Sequence, residues 1–522
     1  MNGRKRWLTL AATAAALLVL PGILAWNSLA GGNLPAECVA IGRLPRIEPD
    51  YSETVIPPNI APLNFQVREA GVDYRVRIHG TAGEDIVVAS RSASIVIPPR
   101  PWRELLQRNR GGRIVLDVYA KGEDGRWSRF DSIKNDVARE EIDSHLVYRL
   151  VGPLGNFYRT MGLYQRNLEN YDESPIVTND GFDGCVNCHS CLNNRADLFS
   201  LQFRAKPGKG ASGMIVVRDG HARWIKTQTK ATPMPAGYTS WHPSTALAAF
   251  AMGHPAQSVR GAGIEVRDVF DFQSDLAAVN VKTGAVSPLP AIADPDSLET
   301  FPAWSADGKF LYFTSVNSLW SGNKPLVTKD IKKAKYHLMR VRYDSEKGEW
   351  GEPEMVLSAA DTGLSISEPR ASPDGRYLLF CMSDYGPFPP YQVSSDLYLM
   401  DLKSGKYWRM TCNSPQCECW HSWSSNSRWI VFSSKRDTGL LARNYFSYVD
   451  AEGHDHKPFV LPQKDPTFYD TWLKTYNVPE LISGPITVSQ AELLKVIRSG
   501  DAATDKPAKS GTPVQTNGNR YQ

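Results

Sequence analysis

Between residues 241 and 432 one order of polar and apolar positions returns four times without gaps. The copies are Trp241-His242-Pro243-Ser244-Thr245 leading to Phe250, Trp304-Ser305-Ala306-Asp307-Gly308 leading to Phe313, Ala371-Ser372-Pro373-Asp374-Gly375 leading to Phe380, and Trp423-Ser424-Ser425-Asn426-Ser427 leading to Phe432. The Phe falls nine residues after the first position each time. Asp or Asn with Gly or Ser makes a tight turn, and a short apolar run such as Phe310-Leu311-Tyr312-Phe313 suits a strand, so each copy predicts one hairpin. A second strand ending in a Gly turn follows each hairpin: Leu276 to Val279 before Gly284, Leu338 to Val341 before Gly348, Leu397 to Met400 before Gly405, and Tyr445 to Tyr448 before Gly453. Two hairpins make a four-stranded sheet. Spacings of 63, 67 and 52 residues between copies suit propeller blades, whose rims tolerate insertions.

The same rhythm extends upstream. Met161 to Leu168 followed by Asp172-Glu173, and Met214 to Val217 turning at Asp219-Gly220 into Arg223-Trp224-Ile225, read as outer hairpins of two more blades, for a total of six. Residues 55–138 alternate in period two, as in Tyr74-Arg75-Val76-Arg77-Ile78 and Ile114 to Tyr119, with turns at Gly112 and Asp124-Gly125, and predict a small β-sandwich reached through a linker over 31–54. Its default role is packing and orientation. Past the blades, which end at 463, Asp465 to Tyr476 and Ser489 to Arg498 predict helices covering a sheet edge or rim, the second with a Ser489/Glu492 capping box. From 501 to 522 scarcely any apolar residue remains, which predicts a solvated tail.

The repeat Trp-Ser-x-Asp-Gly-Lys followed by an apolar run and Phe, as it stands at Trp304 to Phe313 and Ser372 to Phe380, resembles the TolB-type propeller repeat. The copy at Trp241 lacks the Asp-Gly turn and the copy at Trp423 carries Asn426-Ser427 instead. The resemblance covers residues 140–480 and implies a TolB-like β-propeller; with the count of six blades, the small sandwich before them and the short C-terminal helices, the expected fold class is all-β, a six-bladed TolB-like β-propeller preceded by a small β-sandwich. The resemblance also implies protein binding, although nothing matches the amino-terminal domain of TolB.

The amino terminus adds a compartment. Arg4, Lys5 and Arg6 precede an apolar stretch from Leu8 to Trp26 and a small-residue cleavage site at Ser28-Leu29-Ala30, the order of a secretory signal. Left uncut, about twenty apolar residues would anchor the chain in the inner membrane. Glu37 before Cys38 spoils a lipoprotein site. The net charge of +4 over 522 residues is too small to imply a nucleic-acid partner, and none is expected. Neither a Ser/His/Asp order nor paired carboxylates stand out, so hydrolase chemistry has no support.

Chemistry concentrates at Cys185-Val186-Asn187-Cys188-His189, two thiols and a histidine in the attachment pattern of c-type haem. Cys185 and Cys188 would form thioethers and His189 would be the proximal iron ligand of one covalent haem. A TolB-like propeller carrying such a segment resembles uncharacterised exported bacterial proteins. A zinc half-site is the rival reading, but a second Cys/His pair is missing nearby apart from Cys191. Met214, His221, Met234, His242, Met252 and His254 follow the motif as candidate second iron ligands; each reads more plainly as core or turn, and His242, replacing Ser beside the blade Trp, is the strongest. Asn179-Asp180-Gly181-Phe182-Asp183-Gly184 falls short of a calcium loop and reads as a turn. Export makes disulfides the default use of Cys38, Cys191, Cys381, Cys412, Cys417 and Cys419. The expectation is a periplasmic or exported mono-haem cytochrome that transfers electrons to a redox partner protein or an envelope complex. The alternatives are a haem enzyme subunit with an open axial site and a non-haem interaction module.

Overall fold

The computed structural model describes residues 33–152, 161–182, 184–205, 212–259, 263, 265, 267–294, 296–319 and 328–499. The expected signal segment and the tail lie outside the described residues, and no described helix is long and apolar enough to cross a membrane. The described residues divide into two compact units, residues 33–142 with 168–171 and 459–472, and the remainder.

The amino-terminal unit contains a seven-stranded and a three-stranded sheet. Asp73–Gly80 pairs antiparallel with Arg113–Lys121, and its buried Tyr74, Val76 and Ile78 follow the period-two pattern. The span expected as linker belongs to this unit: Ile47–Glu48 pairs with Phe65–Val67, and buried Tyr51 gives its carbonyl to Asn135 Nδ2 at 2.8 Å. One helix, Pro99–Arg108, was not expected. Proline pre-organises its first turn, Trp102, Leu105 and Leu106 form its buried stripe, and Trp102 Nε1 donates to the Ile60 carbonyl at 3.0 Å.

The second unit is built of four-stranded antiparallel sheets, the architecture of a β-propeller. In chain order the first sheet holds Glu173–Thr178, Gly162–Asn167, His145–Val151 and Thr475–Ile482; the second Gly184–Cys191, Leu198–Ala205, Gly213–Arg218 and His221–Ile225. The third begins with Ala236–Trp241, the fourth with Ser297–Trp304, the fifth with Ser365–Ala371 and the sixth with Glu418–Trp423. These first strands pack one beside the next, and Thr475–Ile482 packs beside both Glu418–Trp423 and Gly184–Cys191, which closes a ring of inner strands.

The ring corrects the expected helix at Asp465 to Tyr476. Helix there is one turn, Phe468–Thr471, and the chain then forms the strand Thr475–Ile482, because Val478-Pro479 and the buried Leu481 and Ile482 complete the first sheet from its inner edge. The helix Gln490–Ser499 forms as its capping residue requires, with Glu492 N–H donating to Ser489 Oγ at 3.1 Å; Leu493 and Ile497 pack in a core with Val177, Trp224 and Ile486.

The repeat has a physical basis. Ser305 Oγ bonds Asp307 at 2.7 Å and accepts the Phe310 N–H at 3.0 Å; Ser372 and Ser424 do the same toward Asp374 with Tyr377 and toward Asn426 with Trp429. Trp241 and Trp423 donate through Nε1 to the carbonyls of Ser190 and Arg370 on the preceding inner strands, tying sheet to sheet.

Candidate functional site

Every inner strand carries one extra residue relative to its neighbour, a β-bulge, and at each bulge one non-glycine residue adopts a left-handed backbone. The six are Cys188 (φ 45°), Tyr238 (50°), Phe301 (51°), Glu368 (54°), Trp420 (48°) and Val478 (48°). All six line one small cavity of about 40 Å³, together with His189, Thr239, Arg370, His421 and neighbouring prolines. Tyr238, Phe301 and Trp420 pack together along its wall, with ring centroids 4.4 Å apart for Tyr238–Phe301 and 5.9 Å for Tyr238–Trp420. Left-handed backbone costs about 1–2 kcal/mol per residue, and such strain gathers where a fold aims side chains at a site.

Cys188 and His189 therefore reach the cavity shared by the inner strands, whereas Cys185 does not. Cys185 is buried, Cys188 is half-buried, and the His189 ring is wholly buried with no hydrogen-bond partner on Nε2. Desolvation lowers the His189 pKa to about 3, so its imidazole is neutral and keeps a lone pair. Burial raises the Cys185 thiol, a shift offset in part by Arg204 and Arg149. Asn187 Nδ2 donates to Cys185 Sγ at 3.0 Å, and Arg149 bonds Asn187 and, at 2.8 Å, Asn477.

Cys185 opens on a second, larger cavity of about 610 Å³, within the range of small-molecule sites. Arg149, Arg204, Arg267 and Lys435 give it a cationic lining, and Met161 and Tyr391 face it. Met161, which precedes the motif in the chain, reaches the same cavity from the residue before the strand Gly162–Asn167.

The candidate second iron ligands stay where their bland readings put them. Met214, Met234 and Met252 are core, and His221 and His254 are exposed. The structure does not bring His242 to the motif. It takes the place of the turn serine, its Nδ1 accepting the N–H groups of Ser244 and Thr245 at 3.2 and 3.1 Å, and packs against Trp304 at 4.6 Å.

The expected disulfides are absent: all eight cysteines are free. Cys412, Cys417 and Cys419 are buried: Cys412 lies beside Asp455, while the thiols of Cys417 and Cys419 are neighbours and that of Cys417 donates to the Pro389 carbonyl at 3.1 Å. Cys381 stands in a different company. Its Sγ lies 3.6 Å from Glu368 Oε2, 3.7 Å from His421 Nδ1 and 3.7 Å from the Glu418 carbonyl. Burial pushes Glu368 up to about 8 and His421 down to about 3.

No protein-family model matches the chain, and no curated protein matches it. Similar solved structures are β-propeller proteins. They include TolB from Acinetobacter baumannii (TM-score 0.41, 11% identical over 70% of this chain and 78% of that one), oligogalacturonate lyase from Vibrio parahaemolyticus (0.34, 11%, 75% and 94%) and the Dos1 propeller (0.34, 13%, 54% and 64%).

Proposed function

We propose that the six sheets are blades of one six-bladed TolB-like propeller, that the amino-terminal sheets form a small sandwich, and that the chain is an exported mono-haem c-type cytochrome. It would pass electrons and dock a redox partner protein in the cell envelope. The observation that carries the reading is His189: a neutral imidazole, fully buried, whose Nε2 has no partner, beside two unbridged thiols. Cys185 and Cys188 would hold the porphyrin, His189 would ligate iron, and Arg149, Arg204 and Arg267 suit the carboxylates of haem. Bound there, haem would supply a one-electron iron couple.

One observation favours a second reading. Cys417-Glu418-Cys419-Trp420-His421-Ser422 occupies the register of Cys185-Val186-Asn187-Cys188-His189-Ser190 at the next bulge but one in the ring, so part of the motif's spacing belongs to the blade repeat. On that reading the chain is an interaction module without haem.

Expression in a cytochrome-maturing host separates the readings. Covalent haem on a denaturing gel, lost in Cys185→Ala/Cys188→Ala with the β-rich circular dichroism unchanged, is the expected result; bare polypeptide refutes it. Carbon monoxide added to the reduced protein then reports the second axial position, a shift of the Soret band marking an open site suited to catalysis and its absence a closed one suited to transfer.

A further inference from the structure

A second cluster at the ring, outside the haem motif, has the make-up of a metal site. Among the described residues Glu368, Cys381 and His421 are the one group whose three ligand atoms all lie within 4.8 Å of one another, and all three residues are buried. Glu368 and His421 stand on the inner strands of the fifth and sixth sheets, and Cys381 on the second strand of the fifth.

We propose that Glu368, Cys381 and His421 bind one thiophilic divalent cation of the zinc class, with its remaining coordination position toward the small axial cavity.

Four observations carry this. Ligands arranged tetrahedrally on zinc, with Zn–S about 2.3 Å and Zn–N or Zn–O about 2.0–2.2 Å, stand roughly 3.5 Å apart. The distances from Cys381 Sγ to His421 Nδ1 and Glu368 Oε2 are 3.7 and 3.6 Å. Next, His421 is oriented as metal-bound histidines are: Nε2 is 3.1 Å from the Leu379 carbonyl and must donate to it, which leaves Nδ1 as the lone-pair nitrogen facing the thiol. Third, the polar groups satisfy one another only in part, although Glu368 Oε2 accepts the Trp420 N–H at 2.6 Å. One S–H faces three acceptors at 3.6–3.7 Å, and Glu368 Oε1 is buried with no partner. A cation that displaces the thiol proton and the carboxyl proton puts one divalent charge opposite two single negative charges, so the buried site stays neutral. Last, Glu368 and His421 line the cavity of about 40 Å³, large enough for one water as fourth ligand. A thiolate with an imidazole and a carboxylate selects zinc or cobalt over manganese, magnesium or calcium.

The test uses the full chain from a host without cytochrome maturation, stripped with a chelator and titrated with Co²⁺, then Zn²⁺. One Co²⁺ per chain with a near-ultraviolet thiolate-to-cobalt band, displaced by Zn²⁺, is expected. Cys381→Ser should lose the band. Glu368→Gln should keep the fold and weaken binding by more than the roughly 10–100-fold that loss of an outer-shell partner costs. Cys185→Ala/Cys188→Ala should bind as the parent does. The proposal is overturned by failure to bind Co²⁺, by binding without the thiolate band, by unchanged affinity in Glu368→Gln, or by loss of binding in Cys185→Ala/Cys188→Ala, which would put the ion at the haem motif. Should Cys381→Ser not fold, Glu368→Gln decides.

Discussion

Replacing Leu481 by Ala tests the ring closure on which both sites depend. Leu481 is 1% exposed on Thr475–Ile482, its N–H reaching Ser422 Oγ at 3.4 Å and its carbonyl accepting from Asn194 Nδ2 at 2.8 Å. Removing a fully buried leucine side chain costs about 2–5 kcal/mol, and a rigid ring with neighbours on both sides cannot collapse into the hole, so about 3 kcal/mol is expected. A loss of 1 kcal/mol moves the midpoint by roughly 2–4 °C for 150–250 residues and by less in this larger unit, giving a fall of about 5 °C. The matched control is Leu473→Ala, two residues before the strand and 65% exposed, which should leave Tm within about 1 °C because surface truncations rarely matter. Differential scanning calorimetry of the pair is the assay. Leu481→Ala melting with Leu473→Ala would mean that Thr475–Ile482 is no inner strand. The same strand holds Glu480, whose Oε2 accepts the Cys191 N–H at 2.9 Å while Oε1 pairs with Arg370 at 3.3 Å, so Leu481→Ala should also lower haem incorporation without touching the motif.

Gly308→Ala should destabilise by more than the about 1–2 kcal/mol of its left-handed backbone (φ 72°), since the added Cβ would stand 2.6 Å from the His242 ring; His242→Ser in the same chain should recover the excess in urea unfolding, and no recovery would deny the contact. Asp271 is wholly buried, and desolvation pushes its pKa up to about 7, only partly offset by Arg204. A folded-state pKa above the unfolded value of about 3.9 means that stability is fully present below about pH 4 and is lost as pH rises to 7; Asp271→Asn should flatten that slope and gain at most about 4 kcal/mol at pH 8 in chemical unfolding, whereas an unchanged slope would rule the group out. Trp102→Ala should cost the amino-terminal unit about 3–5 kcal/mol, seen as lost hydrogen-exchange protection over Arg113–Lys121, and intact protection would contradict the burial of its helix.

The hairpins were legible because their signals are local: a Ser hydroxyl bonding Asp or Asn two residues on makes a turn in any context, and the apolar run after it has one plausible use. The bulges were not, since nothing in Phe301-Pro302-Ala303-Trp304 taken alone demands a left-handed residue. Compared across sheets the signal is visible. Val478-Pro479-Glu480-Leu481 shares its proline with Phe301-Pro302-Ala303-Trp304 and Glu368-Pro369-Arg370-Ala371, which marks Thr475–Ile482 as an inner strand where a helix was expected. The disulfides failed for a different reason. Compartment predicts oxidised cysteines only where a pair can reach disulfide geometry; here Cys381 faces Glu368 and His421, Cys412 faces Asp455, and Cys417 and Cys419, two residues apart on one stretch of chain, are neighbours that stay unbridged.

His189 and His421 show how far a repeat explains chemistry. Both follow a left-handed residue at a bulge, both precede a serine, and both are fully buried and neutral, so fold alone accounts for a histidine at either position. Fold does not account for what separates them. His421 spends Nε2 on the Leu379 carbonyl and turns Nδ1 to Cys381, while His189 leaves Nε2 without a partner and stands next to Cys188, where the other register carries Trp420. An unmet buried nitrogen costs about 1–3 kcal/mol, a cost His189 Nε2 shares with His242 Nε2 and Trp420 Nε1, so it leaves a lone pair free for a ligand without demanding one. That difference at equivalent positions, taken with the two thiols of the five-residue spacing, is the reason to look for iron at His189 and a smaller ion at His421.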